Sequence, residues 1–172
     1  MKDLGYIHYF LGIEVQRNDR MYLRQTKYIK DILKKFNMET ISVCPTLMVA
    51  GRQFTIERKP MNNATLYRQT IGTLQYLTNI RSDIALAVNK LSEYMSIPTM
   101  DHWQGIKRII RYLQGTMNLC LHIKHSNNLD IMGYFDADWA TSIDDRKFMA
   151  GQCVFIRETL ISWSSRKQKV VS

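Results

Sequence analysis

The sequence has few of the residues that build cross-linked or metal-bound folds. Three of its 172 residues are cysteines, and Cys44, Cys120 and Cys153 stand far apart, without a CxxC pair. This spacing matches neither a thiolate zinc site nor a dithiol redox site. We therefore expect reduced thiols in an intracellular protein, where the three side chains act as small, buried apolar residues.

Long hydrophobic runs are also absent. No apolar stretch approaches the roughly 18 residues that a membrane-spanning helix requires. The first residues contain an acid, Asp3, and lead into no long apolar segment, so they do not resemble a signal peptide. We expect an intracellular chain, cytoplasmic or nuclear, that neither spans a membrane nor carries a secretion signal.

Motifs of several common enzyme classes are missing as well. The eight glycines form no glycine-rich phosphate loop, and the serines of residues 162–165 lack the GxSxG elbow of a serine hydrolase. The four histidines show no metal-ligand spacing with cysteine. We expect these histidines to be structural or exposed at the surface, as isolated histidines usually are.

Acidic residues are scarce relative to basic ones. The chain carries 24 Lys and Arg against 15 Asp and Glu, a formal net charge of +9. Such an excess favours a polyanionic partner, either nucleic acid or an acidic membrane surface. The chain is also 45% hydrophobic, which is enough to bury a core in one domain or two small ones and argues against a disordered tail.

One candidate site is a pair of carboxylates. An apolar run from Ile131 to Phe135 leads into Asp136 and Asp138. In a strand, residues two apart point to the same face, so the two carboxylates would lie together near the strand's end. Paired carboxylates suit Mg²⁺ and phosphoryl chemistry. The alternative is a solvated pair that opens a turn, which acidic residues often do.

A second candidate is a basic row on a predicted helix after Pro98. At about 100° per residue, Lys107, Arg108 and Arg111 cluster on the side away from the apolar stripe, which comprises Trp103, Ile106, Ile110 and Leu113. A row of this kind can follow a line of phosphates. The alternative is the ordinary solvated face of an amphipathic helix.

The sequence predicts an α+β fold that begins with a β-hairpin over residues 6–24. Its first strand runs through Leu11 as part of an apolar alternation, and Asn18-Asp19 marks its turn. Thr26 is expected to cap a helix over residues 27–36.

An irregular connection over residues 40–63 leads into three helices and a β-rich last third. Ser82 and Thr99 are expected to cap the second and third of these helices. The predicted helices cover 66–78, 82–95 and 99–115, and the predicted strands cover 119–123, 129–135, 150–156 and 159–163.

Short runs along the chain together match one known family. These runs are His8 to Val15, Tyr67-Arg68 with Ile71-Gly72, Asp83-Ile84-Ala85, His102-Trp103 with Lys107-Arg108, Asp136-Ala137-Asp138-Trp139-Ala140, and Ile161-Ser162-Trp163-Ser164-Ser165. In this order, and across nearly the whole chain, they resemble the Pol polyproteins of copia-type LTR retrotransposons.

The resemblance implies four successive parts. They are the end of the reverse transcriptase palm with its primer-grip hairpin and following helix (1–48), an irregular linker (49–63), thumb or connection helices (64–117), and a truncated RNase H-like domain with a mixed sheet (118–172).

The resemblance also implies roles for particular residues. Phe10, Leu11 and Gly12 would belong to the hairpin that holds the primer end. Asp136 matches the first metal-binding carboxylate of an RNase H site, which uses several Asp or Glu residues and two Mg²⁺ ions to cut the RNA strand of an RNA–DNA hybrid. Asp138 belongs to the same motif but is not expected to bind the metal.

The chain departs from the family pattern at several places. It contains no paired-aspartate motif of the polymerase, and it ends before the further RNase H carboxylates. Ser82, Thr141 and Arg157-Glu158 replace residues that are usual in the family. We therefore predict that this chain alone has no polymerase or RNase H activity and does not hold Mg²⁺ tightly.

The function that remains is weak, sequence-independent binding of an RNA–DNA hybrid or other nucleic acid. The expected contacts are Lys34 and Lys35 on the first helix, with Lys107, Arg108 and Arg111 on the last. Salt should weaken this binding. Two alternatives stay open: part of an active polymerase–nuclease that continues beyond this chain, or a non-enzymatic module that binds a protein through exposed apolar surface.

Overall fold

The chain forms helices and strands in an α+β arrangement, as predicted. A computed structural model describes residues 5–49, 51, 54–56, 58–125, 128–138 and 149–167. In chain order, the elements are β1 (Tyr9–Phe10), β2 (Ile13–Arg17), β3 (Met21–Arg24), α1 (Thr26–Lys35), α2 (Ala64–Leu77), a 3₁₀ turn (Ser82–Ile84), α3 (Ala85–Ser92), α4 (Met100–Gly115), β4 (Leu121–Ile123), β5 (Ile131–Asp138), β6 (Met149–Ile156) and β7 (Thr159–Lys167).

The first sheet combines strands from distant parts of the chain. Its order is β1-β2-β3-β4, and all neighbours are antiparallel. In the last pair Tyr22 lies opposite His122, and their rings stack at 4.7 Å. The short strand β4 therefore joins the N-terminal hairpin, although the sequence placed it in the β-rich last third.

The N-terminal hairpin contains a turn that the sequence pattern did not predict. A single strand was expected through Leu11, but the chain reverses there and pairs Phe10 with Ile13. Leu11 and Gly12 have φ angles of 46° and 78°, which suit a two-residue hairpin turn. Gly12 adopts this geometry without a steric penalty, and the Tyr76 hydroxyl donates a hydrogen bond to the Leu11 carbonyl oxygen.

The second sheet contains β5, β6 and β7 in that order, and both pairs are antiparallel. The expectation of a mixed sheet is therefore wrong for the described residues. The physical reason is that the three strands are consecutive in sequence, and neither connection reaches the dozen or more residues that a parallel crossover needs. The predicted two-residue turn at Arg157-Glu158 connects β6 to β7, with Arg157 at a φ of 50°. Successive strands joined so tightly can pair only antiparallel.

The helix caps agree with the sequence in part. Thr99 caps α4 as predicted, in a capping box that His102 completes, and Asn63 caps α2. Thr26 does not cap α1: Gln25 takes that position, and the Thr26 hydroxyl instead donates to the Met117 carbonyl oxygen at 3.3 Å. The second predicted helix is also shorter than expected, since Ser82 lies in the 3₁₀ turn and α3 ends at Ser92.

The core lies among the four helices. The fully buried side chains include Tyr67 and Leu74 of α2, together with Ile110 and Leu113 of the stripe predicted for α4. Burial of such stripes is the main force that holds amphipathic helices together. No helix in the described part of the chain combines the length and hydropathy needed to cross a membrane.

Candidate nucleic-acid interface

The packing of α1 on α4 brings predicted basic residues from the two helices together. Phe36, just after α1, meets Trp103 of α4 edge to face with ring centroids 6.4 Å apart. The Lys35 Nζ lies 5.6 Å from the Phe36 ring, and the Lys107 Nζ lies 6.0 Å from the Trp103 ring. Each ammonium is held over an aromatic face by cation–π attraction. Two half-buried rings thus join two lysines that are 72 residues apart in sequence.

The exposed face of α1 continues this basic surface. Lys27, Lys30 and Lys34 are all exposed, and their spacing of three and four residues places them on one side of the helix. They span about 10.5 Å along the helix axis at 1.5 Å per residue. Asp31 lies on the same side and offsets one positive charge. We call the set Lys27, Lys30, Lys34, Lys35, Phe36, Trp103 and Lys107 the basic track.

The predicted primer-grip residues lie at the other end of α1. The Lys27 Nζ is 5.5 Å from the Tyr9 ring of β1. The turn beyond this strand exposes Phe10 and Leu11, with 57% and 69% of their surface accessible. A Cβ at Gly12 would lie 3.5 Å from the Tyr76 ring. The hairpin tip (Phe10, Leu11 and Gly12) therefore lies beside the start of the basic track.

Two of the predicted phosphate-binding residues have a different set of contacts. Arg108 Nε donates to the Thr46 carbonyl oxygen at 3.1 Å, and its Nη2 donates to the Thr46 hydroxyl. Arg111 Nε donates to the Ser42 carbonyl oxygen at 2.7 Å. These bonds hold the segment after α1 against α4. Of the predicted row on α4, only Lys107 lies on the basic track as defined.

The same segment carries a buried cysteine in a positive environment. Cys44 is buried, and its thiol hydrogen-bonds to the Thr46 backbone at 3.4 Å. Hydrogen bonding with Thr46 lowers the pKa of Cys44 and outweighs the upward effect of burial, and the nearby Arg108 and Arg111 guanidinium groups lower the pKa further. The positive charges on this side of α4 therefore favour the thiolate form of Cys44.

Asp136, the predicted metal ligand, lies on β5 opposite Gly151 of β6, and its side chain is exposed. The side chain of Asp138 falls outside the described residues. Within the described part of the chain, no three His, Cys, Asp or Glu residues come close enough to hold a metal ion. The described donors therefore do not fit a two-metal site, which needs several carboxylates. That the chain does not hold Mg²⁺ tightly stays a prediction.

The sequence alone did not indicate the part that two aromatic residues play. Helical spacing places Trp103 on the apolar stripe of its helix and Phe36 on the apolar face of α1. Each lies only half-buried, beside a lysine. The available signal was their spacing, since Phe36 follows Lys35 directly and Trp103 precedes Lys107 by one helical turn.

Comparisons with known proteins give close relatives over nearly the whole chain. Two retrovirus-related Pol polyproteins of Arabidopsis thaliana, from transposons RE2 and RE1, are each 42% identical to it and match 96% and 99% of its length. The chain covers only 12% of each polyprotein. The uncharacterized mitochondrial protein AtMg00810 of the same plant is 35% identical over 100% of the chain and 72% of its own length.

No protein-family model and no solved structure matches the chain significantly. The family assignment therefore rests on sequence identity, which extends along nearly the whole chain and includes a relative of which the chain covers 72%. The chain belongs to the family of retrovirus-related Pol polyproteins of copia-type retrotransposons.

Proposed function

We propose that this segment of a Pol polyprotein binds an RNA–DNA hybrid along the basic track. By this proposal the chain comprises the end of the polymerase palm, the connection helices and the start of the nuclease domain. The observation that carries the proposal is the junction of Lys35, Phe36, Trp103 and Lys107, which joins cations of two helices into one surface. We expect the chain to act inside the cell, where its cysteines would stay reduced.

The chemistry of the basic track favours phosphates rather than bases. Lysine ammonium groups are compact point charges that attract phosphate without reading the sequence. Phosphates of one strand follow each other at about 3.4 Å along the duplex axis, so the three lysines of α1 span about three of them. Binding would therefore be sequence-independent and driven by the release of counterions.

The hairpin tip extends the same surface with apolar groups. Phe10 and Leu11 are exposed beside Tyr9, whose ring faces Lys27. Exposed apolar side chains next to cations suit the sugar and base edges at the end of a duplex better than its charged backbone. We propose that the hairpin tip contacts the end of the hybrid, while the lysines hold its backbone.

We further propose that the chain alone is catalytically inactive. Phosphodiester cleavage by two metal ions requires several carboxylates that fix both ions, and Asp136 offers one. Mg²⁺ binding by this chain would accordingly be weak. Incubation of the chain with a labelled hybrid and Mg²⁺ should leave the RNA strand intact, and specific cleavage that Asp136→Asn abolishes would overturn this part of the proposal.

The binding test compares two double variants of equal charge. Lys30→Ala with Lys34→Ala removes two cations from the basic track, while Lys90→Ala with Arg166→Ala removes two from α3 and β7. Fluorescence anisotropy with a blunt RNA–DNA hybrid should show at least tenfold weaker binding at low salt for the track variant. The control variant should stay within about twofold of the unsubstituted chain.

Equal losses in the two variants would contradict the proposal. Such a result would mean that the net charge of +9, rather than the arrangement of the lysines, attracts the hybrid. The absence of any binding at low salt would also overturn it.

A second candidate function is protein binding through the C-terminal sheet. Three apolar side chains at β5 expose between 69% and 75% of their surface. They are Leu129, just before the strand, and Ile131 and Phe135 within it. Apolar surface of this extent marks an interaction site in many proteins. A defined oligomer at low micromolar concentration, seen by sedimentation velocity, would favour this candidate.

A further inference from the structure

A pocket of about 480 Å³ lies between α4 and the segment that follows α1. Leu47, Met48 and Phe54 form part of its apolar lining, and Lys107, Arg108 and Arg111 line its α4 side. A volume of this order is large enough for a small organic ligand. Three cations around an apolar interior indicate a ligand that is both anionic and partly apolar.

The arginines keep donors for such a ligand. Arg111 uses its Nε on the Ser42 carbonyl oxygen, and Arg108 uses its Nε and Nη2 on Thr46. A guanidinium carries five N–H groups in a planar fork, so each arginine has further donors after these bonds. Among the described residues that line the pocket, none is acidic. The bonds to Ser42 and Thr46 therefore fix both arginines in place without neutralising them.

An aromatic ring packs closely against the helix at this site. A Cβ at Gly105 would lie 2.9 Å from the Phe54 ring, closer than real side chains allow. Glycine in the middle of α4 lowers helix propensity by about 1 kcal/mol relative to alanine, and here it makes room for the Phe54 ring. Phe54 is half-buried, so part of its surface can contact a ligand.

The pocket is continuous with the basic track. Lys107 belongs to both, because it lies over Trp103 and also lines the pocket. A nucleic-acid strand that follows the track thus reaches the pocket at its end. Gln104, an exposed residue of the pocket lining, adds an amide that can both donate to and accept from a base edge.

From this geometry we infer that the pocket receives an unpaired nucleotide, with its base against Phe54 and the apolar lining and its phosphate on Arg108 and Arg111. The inference rests on the proposed function, because the basic track delivers the strand to the pocket. A paired nucleotide does not fit, since its base is already stacked within the duplex. Proteins that hold single strands combine aromatic stacking with cationic contacts in the same way.

The experiment compares a blunt RNA–DNA hybrid with the same hybrid that carries a three-nucleotide single-stranded overhang, at either end of either strand. Anisotropy titrations of the full chain should show at least one overhang form that binds about fivefold more tightly than the blunt form, or better. The measured quantity is the ratio of the two affinities, which cancels effects common to both substrates.

Variants then locate the effect. Phe54→Leu keeps an apolar side chain but removes the aromatic face, and it should bring the ratio close to one. Val49→Glu adds an acid to a pocket residue that is 44% exposed, so folding is not at risk, and it should also abolish the preference. Val49→Gln, matched in size but neutral, should retain it. Lys30→Ala should weaken both substrates and leave the ratio unchanged.

The outcomes separate this inference from the proposed function. Salt-dependent binding of the blunt hybrid without any gain from the overhangs overturns the pocket inference and leaves the track standing. A gain that survives both Phe54→Leu and Val49→Glu also overturns it, because the nucleotide then binds elsewhere. Failure to bind either substrate overturns the track and the pocket together.

Discussion

The helical body (α1–α4) and the C-terminal sheet (β5–β7) differ in how far their apolar side chains are buried. In the helical body, apolar stripes face one another, and Ile71, Leu74 and Leu77 have no accessible surface. On β5, every described side chain from Ile131 to Asp136 is exposed. The two regions are both rich in apolar residues, so composition alone does not decide burial. What decides it is whether a second layer covers the apolar face.

The contacts that join the helical body to the C-terminal sheet also differ from those within the helical body. Trp163 Nε1 donates to the Thr78 carbonyl oxygen at 2.8 Å, and Asn89 Nδ2 donates to the Ser165 carbonyl oxygen at 2.7 Å. These two hydrogen bonds are polar contacts, whereas the helices are held to one another by buried apolar side chains. A hydrogen bond contributes about 1 kcal/mol net, much less than a buried leucine. Stability should therefore reside mainly in the helical body.

The largest loss of stability should come from a substitution in the core of the helical body. Leu74→Ala removes a fully buried side chain and should lower the free energy of unfolding by about 2 to 5 kcal/mol. Leu129→Ala, a matched change at a residue that is 70% exposed, should cost less than about 0.5 kcal/mol. Urea denaturation followed by circular dichroism measures both. Similar losses would remove the distinction between the two regions.

The next effect should come from an ion pair within the helical body. Arg81 is 2% exposed, donates to both carboxylate oxygens of Asp83 at 2.7 and 2.9 Å, and also bonds to Thr116. Arg81→Met should lower the free energy of unfolding by about 2 kcal/mol, less than for a fully buried pair because Asp83 is partly exposed. Arg58→Met breaks an exposed pair with Asp101 and should cost little.

The Arg81 pair also predicts a pH dependence. Burial pushes the pKa of Asp83 upward, but the Arg81 hydrogen bonds and charge outweigh it and hold the pKa below its ordinary value. A carboxyl group whose pKa is lowered by folding stabilises the fold fully above its unfolded pKa of about 4. That contribution is lost as the pH falls through the lower, folded pKa. Denaturation from pH 6 to pH 2 should show this loss in the unsubstituted chain and less of it in Arg81→Met.

A smaller effect should appear where the sheet meets the helices. Trp163→Phe removes the hydrogen bond to Thr78 and should cost about 1 kcal/mol. Native-state hydrogen exchange should show faster exchange at β6 and β7, with little change in α2 and α4. Tyr134→Phe, at an exposed position on β5, is the control and should change neither. An equal loss of protection in α2 and α4 would mean that the two regions unfold as one unit.

The smallest effect on stability should come from the exposed face of β5. Phe135→Lys, at a residue that is 75% exposed, should change the free energy of unfolding by less than about 0.5 kcal/mol. It should nevertheless reduce self-association in sedimentation velocity, because it adds charge to an exposed apolar strand. A loss of more than 1 kcal/mol would show that Phe135 is covered in solution.

The sequence predicted the helical body well because its signals are local. The Thr99 cap and the stripe of Ile106, Ile110 and Leu113 in α4 depend only on neighbours within a few residues, and the structure confirms them. The hairpin turn at Leu11-Gly12 was missed because the apolar alternation continues through it. A leucine at positive φ is uncommon, and here the contacts of the turn with Tyr76 favour it.

Non-local contacts could not be predicted in the same way. The pairing of β3 with β4 joins residues about 100 positions apart, and no local pattern encodes it. The candidate site shows the same limit. Lys34, Lys35 and Lys107 were predicted from charge, but their junction through Phe36 and Trp103 depends on how α1 packs on α4. The contacts of Arg108 and Arg111 with an irregular segment likewise require the folded chain.

The most direct test of the basic track is the salt dependence of hybrid binding by the unsubstituted chain. If its five lysines each neutralise about one phosphate, the logarithm of the association constant should fall with the logarithm of salt concentration at a slope of about −4.5. Lys30→Ala with Lys34→Ala should reduce the steepness by about 2. An affinity that does not change with salt would contradict the account.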